Sequence, residues 1–342
     1  MRRIKLSLAR DLKVDFVDRD LALRRVEEWS EKSTYPVQVI YGPEGCGKTA
    51  WLRQSVELLR ELGFDVIYLN PIERIFLTEV GIEDVRRRLN EVLHEATDEA
   101  WVKATWLLID LARSLIKAGR RRVAIIVDDV FSAIGLSKAA MYVKGMLGLI
   151  EYPPRDYDVI ITVAATSEGL SRREIGRHRW ADLMPMWNMS KEGFKQLYNQ
   201  IPGNKLPFEE AWRLTGGNPL ILGEFYKAGW NIGTVVGKII DNKRIEAFIA
   251  SLSTEERHWL EDAVNDPDTL LTRERMQLMD RLVELNLLID VIPERDSYLW
   301  IDHPPLRKDL GLGIGEHNAW QTPLHREAVK RVLERFNRSS PP

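Results

Sequence analysis

The run Gly42-Pro43-Glu44-Gly45-Cys46-Gly47-Lys48-Thr49 constrains this chain more than any other stretch. Glycines at 42, 45 and 47 carry no Cβ, so the backbone is free to curl and turn successive N–H groups toward one point, where phosphate oxygens fit. The lysine and threonine come straight after the last glycine. A lysine there supplies a mobile cation to β- and γ-phosphates, and the threonine offers its hydroxyl to Mg²⁺. The run satisfies G-x-x-x-x-G-K-[ST] at every specified position, and its surroundings agree. Residues 37–41, all but one apolar or aromatic, read as a buried strand. A helix follows with Leu52, Val56 and Leu59 on one face and a stop at Gly63. Such a helix adds a positive N-terminal end to the site. The alternative is a glycine turn beside a surface lysine.

A polyphosphate site of this kind needs an acid for the metal. Residues 123–127 form an apolar, mostly β-branched strand that ends in Asp128-Asp129. Ligands bind beyond the C-terminal ends of parallel strands, where both carboxylates are expected. Asp128 is expected to hold Mg²⁺ through water, and Asp129 to orient or deprotonate the attacking water. The alternative is that they cap the following turn. Residues 159–164 read as another strand, ending at Ala165-Thr166-Ser167, where the Thr166 hydroxyl is placed to sense the γ-phosphate or the water. Arg172, Arg173, Arg177 and Arg179 follow, any of which could oppose charge on the transferring phosphate. The six histidines show no metal spacing, and no serine nucleophile elbow is present.

Strands at 37–41, 65–69, 123–127, 159–164 and a short fifth at 184–187 alternate with helices, which implies an α/β parallel sheet between helical layers. Residues 72–118 read as helical throughout. After Ser190 the pattern turns helical, broken at Pro202-Gly203 and at Gly216-Gly217-Asn218-Pro219. Ser253-Thr254-Glu255-Glu256 opens a further helix with a capping box. Residues 273–288 read as helical, 289–292 and 298–301 as two short strands, and 317–337 as one amphipathic helix. The arginine triplets at 86–88 and 120–122 read as solvated helix ends, and the tail at 339–342 as frayed.

The expected division is therefore a core over 1–189, a helical lid over 190–250, a winged helix over 251–305 and a helical tail over 306–342. Lysine and arginine number 49 against 51 acids, so net charge gives no global pull toward nucleic acid or anionic lipid. The most apolar helical stretch, 104–116, is shorter than the ~20 residues a membrane span needs. No membrane partner is expected, and the single cysteine and the absence of a leader pattern fit a cytoplasmic setting.

With these residues in place, the chain resembles the archaeal ATPase family within the STAND branch of AAA+ P-loop proteins, over about residues 14–305. Phe16-Val17-Asp18-Arg19 is similar to the family's entry segment, which implies that Phe16, Val17 and Arg19 line the adenine pocket. Gly176-Arg177 before Met184-Pro185-Met186 is similar to its Gly-Arg stretch, which singles out Arg177. Leu214-Thr215-Gly216-Gly217-Asn218-Pro219-Leu220 resembles its lid motif, with Pro219 near the base. The resemblance adds these to a nucleotide site of Gly42, Pro43, Glu44, Gly45, Cys46, Gly47, Lys48, Thr49 and Ala50, with metal at Thr49 and Asp128 and catalysis by Lys48, Asp129, Thr166 and Arg177. It implies ATP or ADP with Mg²⁺ as ligands, hydrolysis and a C-terminal winged helix. Two departures stand out. Asp129 occupies a position where most members have glutamate, and Phe131 one where they have glutamine; the shorter acid implies slow turnover. The expected function is a nucleotide-dependent switch acting on a protein partner or on the chain's own winged helix. A DNA-loading ATPase resembling origin-recognition initiators is the alternative. Residues 281–302 weigh against it, with Arg281 and Arg295 facing Glu284, Asp290, Glu294, Asp296 and Asp302.

Overall fold

The computed structural model describes residues 2–78, 87, 91–92, 97–167, 169–203 and 206–339. The helical reading of 79–96, Arg86 and Arg88 of the first arginine triplet, and the tail from Ser340 lie outside or largely outside the described residues. The chain divides into two compact units.

The first unit contains Arg19–Tyr41 and Lys48–Pro185. Its six-stranded sheet is built from β3 (Val37–Tyr41), β4 (Asp65–Asn70), β5 (Ile75–Thr78), β6 (Arg122–Asp128), β7 (Val159–Thr166) and β8 (Ala181–Pro185), in the order β5-β4-β6-β7-β3-β8. All neighbours are parallel except β5, which runs antiparallel to β4. Alternation sends one set of strand side chains to each face. Val37, Val39, Ile67, Leu69, Val123, Ile125 and Val127 form a core with the helices at Asp98–Lys117, Val130–Ile134 and Leu136–Glu151. Helices α1 (Asp20–Lys32) and α2 (Lys48–Glu61) pack on strands β4, β6 and β7, completing a three-layer α/β arrangement.

Two readings of this unit are corrected. Residues 72–118 are not all helical, because Ile75–Thr78 is an edge strand; a four-residue apolar run carries no period long enough to tell the two apart. The last strand lies at Ala181–Pro185 rather than 184–187, and Met186 and Trp187 leave the sheet.

The second unit gathers Lys5–Asp18, Gly42–Gly47 and the chain from Met186 onward. Strands β1 (Lys5–Ala9) and β2 (Leu12–Asp15) form an antiparallel hairpin that sequence reading missed. Its inward residues Ala9, Leu12 and Val14 pack with Phe194, Leu197, Tyr198, Ala211 and Leu222. A second core joins Phe225, Ile239, Ile245, Leu260, Leu282 and Val329, from helices spread between residues 219 and 339, with Trp320 from a short strand. The capping box forms as read: the Ser253 hydroxyl accepts from the Glu256 N–H at 3.1 Å, and the Glu256 carboxylate accepts from the Ser253 N–H at 2.8 Å. The expected strand pair is displaced. Leu288–Ile289 pairs with Ala319–Trp320, while 298–301 is occupied by a 3₁₀ turn at Ser297–Leu299 followed by buried Trp300 and Ile301. The final helix accordingly starts at Pro323, not 317, with proline fixing its first turn.

Candidate functional site

β6 delivers Asp128 to the end of the sheet with no solvent exposure. Its Oδ2 accepts hydrogen bonds from the Tyr68 hydroxyl and the Asn70 amide, each at 3.2 Å. Its Oδ1 is buried and has no hydrogen-bond partner among the described residues. Burial pushes this carboxyl well above the usual carboxylate range, and the neighbouring Asp129 charge adds to the rise. The Thr49 hydroxyl and the Lys48 ammonium pull the other way without restoring it. A buried carboxylate oxygen left unsatisfied is costly, by roughly 1–3 kcal/mol or more. One carboxylate beside a threonine hydroxyl matches the protein side of a Mg²⁺ site whose remaining ligands are phosphate and water, and the nearby lysine suits the phosphates. The residues present therefore fit Mg²⁺ as the sequence implied. Among the described residues no cluster of three or more His, Cys, Asp or Glu offers an all-protein metal cage.

Lys48, the first residue of α2, is 5 % exposed, so its ammonium is held inside the unit rather than free on the surface. Asp129 follows Asp128 in a left-handed conformation (φ 51°) and starts the short helix Val130–Ile134 without a side-chain cap hydrogen bond. The capping role is thus not filled. A short polar residue at positive φ stores about 1 kcal/mol of strain, of the sort found at functional turns. The Asp129 N–H donates to Ala165 O at 3.2 Å, tying the acid to β7. Thr166 ends β7, is 1 % exposed and stands in register with Tyr41, the last residue before the glycine loop. β7 lies between β3 and β6, so Thr166 is placed between the strand that leads into the loop and the strand that carries Asp128.

Arg177 is not with this group. It lies just past the helix Gly169–Gly176, its side chain 73 % exposed and paired with Glu174 at 2.9 Å. Such an exposed pair contributes under about 1 kcal/mol and does not fix an arginine in place. Arg172 is the buried arginine instead, 9 % exposed, with its guanidinium 5.2 Å from the Tyr41 ring centroid. Sequence reading named both without distinguishing Arg172. Arg172 lies beside buried Ser171 and three residues before buried Ile175, a face that only the fold discloses.

The glycine loop itself folds with the second unit. Gly42, Gly45 and Gly47 all take positive φ, at 152°, 74° and 106°. A Cβ at Gly42 would lie 2.0 Å from the Met186 carbonyl oxygen, and one at Gly45 would lie 2.2 Å from the Leu220 Cβ. Cys46 is fully buried, with its thiol 3.6 Å from Met186 O and its N–H donating to Pro43 O. Glu44 is engaged through its backbone and its carboxylate alike. Its N–H donates to Gln321 Oε1 at 2.9 Å, and its carbonyl accepts from the Asn218 amide at 2.9 Å. Its carboxylate meets Lys243 at 2.7 Å and Asn286 at 3.0 Å. Burial works to raise the Glu44 pKa, but the Lys243 hydrogen bond and charge, with the Asn286 hydrogen bond, outweigh it, and the net shift is downward. No motif points Lys243, Asn286, Gln321 or His325 at the loop, so only the fold discloses this contact.

Residues 218–219 start a helix. Asn218 accepts from the Ile221 N–H at 3.1 Å, and Pro219 opens the helix Pro219–Lys227. The Leu220 N–H donates to Gly45 O at 3.3 Å. Phe16 is buried and Val17 half-buried in the second unit, while Arg19 is 2 % exposed at the start of α1 in the first. Ala50 is half-buried in α2.

The chain is similar in fold to the Walker-type ATPase of Pyrococcus abyssi, with a TM-score of 0.49 and 14 % identity over 92 % of this chain and 96 % of that one. Cdc6p from Pyrobaculum aerophilum gives 0.41 and 12 %, over 97 % and 99 % of the two chains. The Orc1 protein of Aeropyrum pernix, solved in complex with DNA, gives 0.35 and 15 %, over 96 % of each. No curated protein matches the sequence. The sequence pattern of the ATPase domain predominantly from Archaea matches residues 16–225, more than half of the chain. A glycine loop running into α2, a buried Asp128 closing β6 and this match have one conclusion: the chain is an ATPase belonging to that predominantly archaeal family.

Proposed function

We propose that this ATPase binds ATP with Mg²⁺ at Gly42 to Ala50 and Asp128 and works as a slow nucleotide-dependent switch. The observation that carries the reading is the buried, unpartnered Asp128 Oδ1 beside Thr49 and Lys48. Lys48 would neutralise charge on the β- and γ-phosphates, and Thr49 with Asp128 would hold the metal, which supplies further charge neutralisation when bound. Tyr68 and Asn70 keep the other Asp128 oxygen fixed, so the carboxylate cannot rotate away. Asp129 would orient the attacking water, with Thr166 as the γ-phosphate sensor. Asp129 is one methylene shorter than a glutamate, which supports slow turnover. Phe16, Val17, Arg19 and Pro219 are proposed for the base, and Arg177 for a phosphate contact. The exposure of Arg177 suits a contact made on assembly better than one within the chain.

The switch reading draws support from Glu44, through which the loop engages residues of the proposed lid (190–250), the proposed winged helix (251–305) and the tail (306–342). Removal of the γ-phosphate would relax the loop and, with it, these segments. A protein partner or the chain's own C-terminal half is favoured over DNA. Of the two cations in 281–302, Arg281 bonds Ser251 and Glu256, and Arg295 bonds the carbonyls of Pro293, Arg307 and Gly315. Neither is available for phosphate without breaking an internal contact.

Calorimetric titration tests the site. Wild type is expected to bind Mg²⁺-ATP and Lys48→Ala to lose about a hundredfold or more in affinity. Full affinity in a folded Lys48→Ala protein sinks the assignment. Phosphate release that persists in Asp128→Asn removes the proposed metal role.

A further inference from the structure

Glu44 sits at a position of the glycine loop where the motif specifies nothing, yet both of its backbone groups and its carboxylate are engaged within the second unit. The contacts close on themselves. The Glu44 N–H donates to Gln321 Oε1, Gln321 Nε2 donates to Asn286 Oδ1 at 2.7 Å, and Asn286 Nδ2 donates back to the Glu44 carboxylate. Each amide uses its oxygen on one neighbour and its nitrogen on the next, so neither can flip without losing two bonds. Asn286 is held for this by a left-handed backbone (φ 55°) just after the helix Met276–Glu284. Lys243, ending the helix Ile232–Asn242, adds the one formal charge that opposes Glu44, and its side chain is 21 % exposed. His325 is buried nearby and kept neutral, its pKa lowered to about 4 by burial and by the Lys243 charge, so Lys243 is the cation of this cluster.

We infer that Lys243 and Asn286 are positioning residues for ATP binding, acting through Glu44 to hold the phosphate loop in its receiving conformation; this rests on the nucleotide reading above. A loop with glycines at 42, 45 and 47 has more conformational freedom to lose than an ordinary turn. Fixing the N–H, C=O and carboxylate of Glu44 removes that freedom before the nucleotide arrives, and preorganisation of this kind appears as affinity. The ring supports the ground state and the transition state equally, so its loss raises KM and leaves kcat alone. The segments that carry Lys243, Asn286 and Gln321 thereby set how well the loop receives phosphate.

The test uses the full chain and steady-state ATP hydrolysis. Lys243→Met keeps the aliphatic stem and removes the charge; KM for ATP is expected to rise about five- to tenfold, with kcat changed by less than about twofold. Lys243→Arg is expected to restore KM. Adding Glu44→Gln to Lys243→Met is expected to raise KM little further, because the contact is already broken. Melting without nucleotide verifies that Lys243→Met is folded; if it is not, Asn286→Ser reads the same ring and is expected to raise KM as well. An unchanged or lowered KM in the folded variant overturns the inference, as do independent penalties in the double variant. If wild type binds no ATP, the nucleotide reading fails instead, and the two failures are told apart by that first titration.

Discussion

Asp128 is where chemistry and stability pull against each other. Its carboxyl has a raised pKa in the folded chain, mainly through burial, so the folded state holds a proton that the unfolded state has released. Stability therefore falls as pH rises from about 4, the ordinary carboxylate value, up to the raised one. Asp128→Asn removes the titration. It is expected to melt higher than wild type without ligand, by more at pH 8 than at pH 5, while losing phosphate release. A gap that narrows as pH rises contradicts the assigned burial. The sequence made this acid legible, because a β-branched strand ending in two acids downstream of a glycine loop has few other uses. It could not show Tyr68 and Asn70 bracing the acid, since a cross-strand hydrogen bond leaves no periodic mark. Nor could it rank Arg172 above Arg177, which differ in burial and not in type.

Among the elements, the glycine loop depends on what is packed on it. Gly45→Ala combines a strained φ with a Cβ placed 2.2 Å from the Leu220 Cβ, and is expected to cost about 2–4 kcal/mol and weaken ATP binding. Adding Leu220→Gly reopens that space and is expected to recover part of the loss by melting temperature. Gly42→Ala meets the Met186 carbonyl, a backbone atom, and no side-chain change should rescue it. Equal rescue at both positions would show that the packing is not the cause. Long periodic elements were readable: α1, α2, the helix Asp98–Lys117, and strands β3, β4, β6 and β7 appear where hydrophobic patterning puts them. The short ones were not. β5, Leu288–Ile289 and Ala319–Trp320 have two to four residues each, and the 3₁₀ turn at Ser297–Leu299 replaced a strand because Trp300 donates its indole N–H to Glu294 O, bending the chain back.

Mass in solution is expected to differ between the ADP and non-hydrolysable ATP states if exposed Arg177 serves a neighbouring copy; a constant monomer argues against that role. Short duplex DNA is expected to bind no tighter than micromolar at physiological salt, because Arg281 and Arg295 are occupied internally. A sub-micromolar Kd with a steep salt slope would reverse the preference. No described helix is long and apolar enough to cross a membrane. The N-terminal hairpin Lys5–Asp15 packs on side chains from residues 189 to 226, whereas the six-stranded sheet is complete by Pro185. During synthesis, then, this hairpin leaves the ribosome before the side chains that cover it. The sheet can form while the hairpin waits, its Leu12 and Val14 uncovered until the helices near residue 220 emerge. Protease sensitivity of residues 5–15 should persist in stalled chains ending near 190 and disappear in chains extended past about 260.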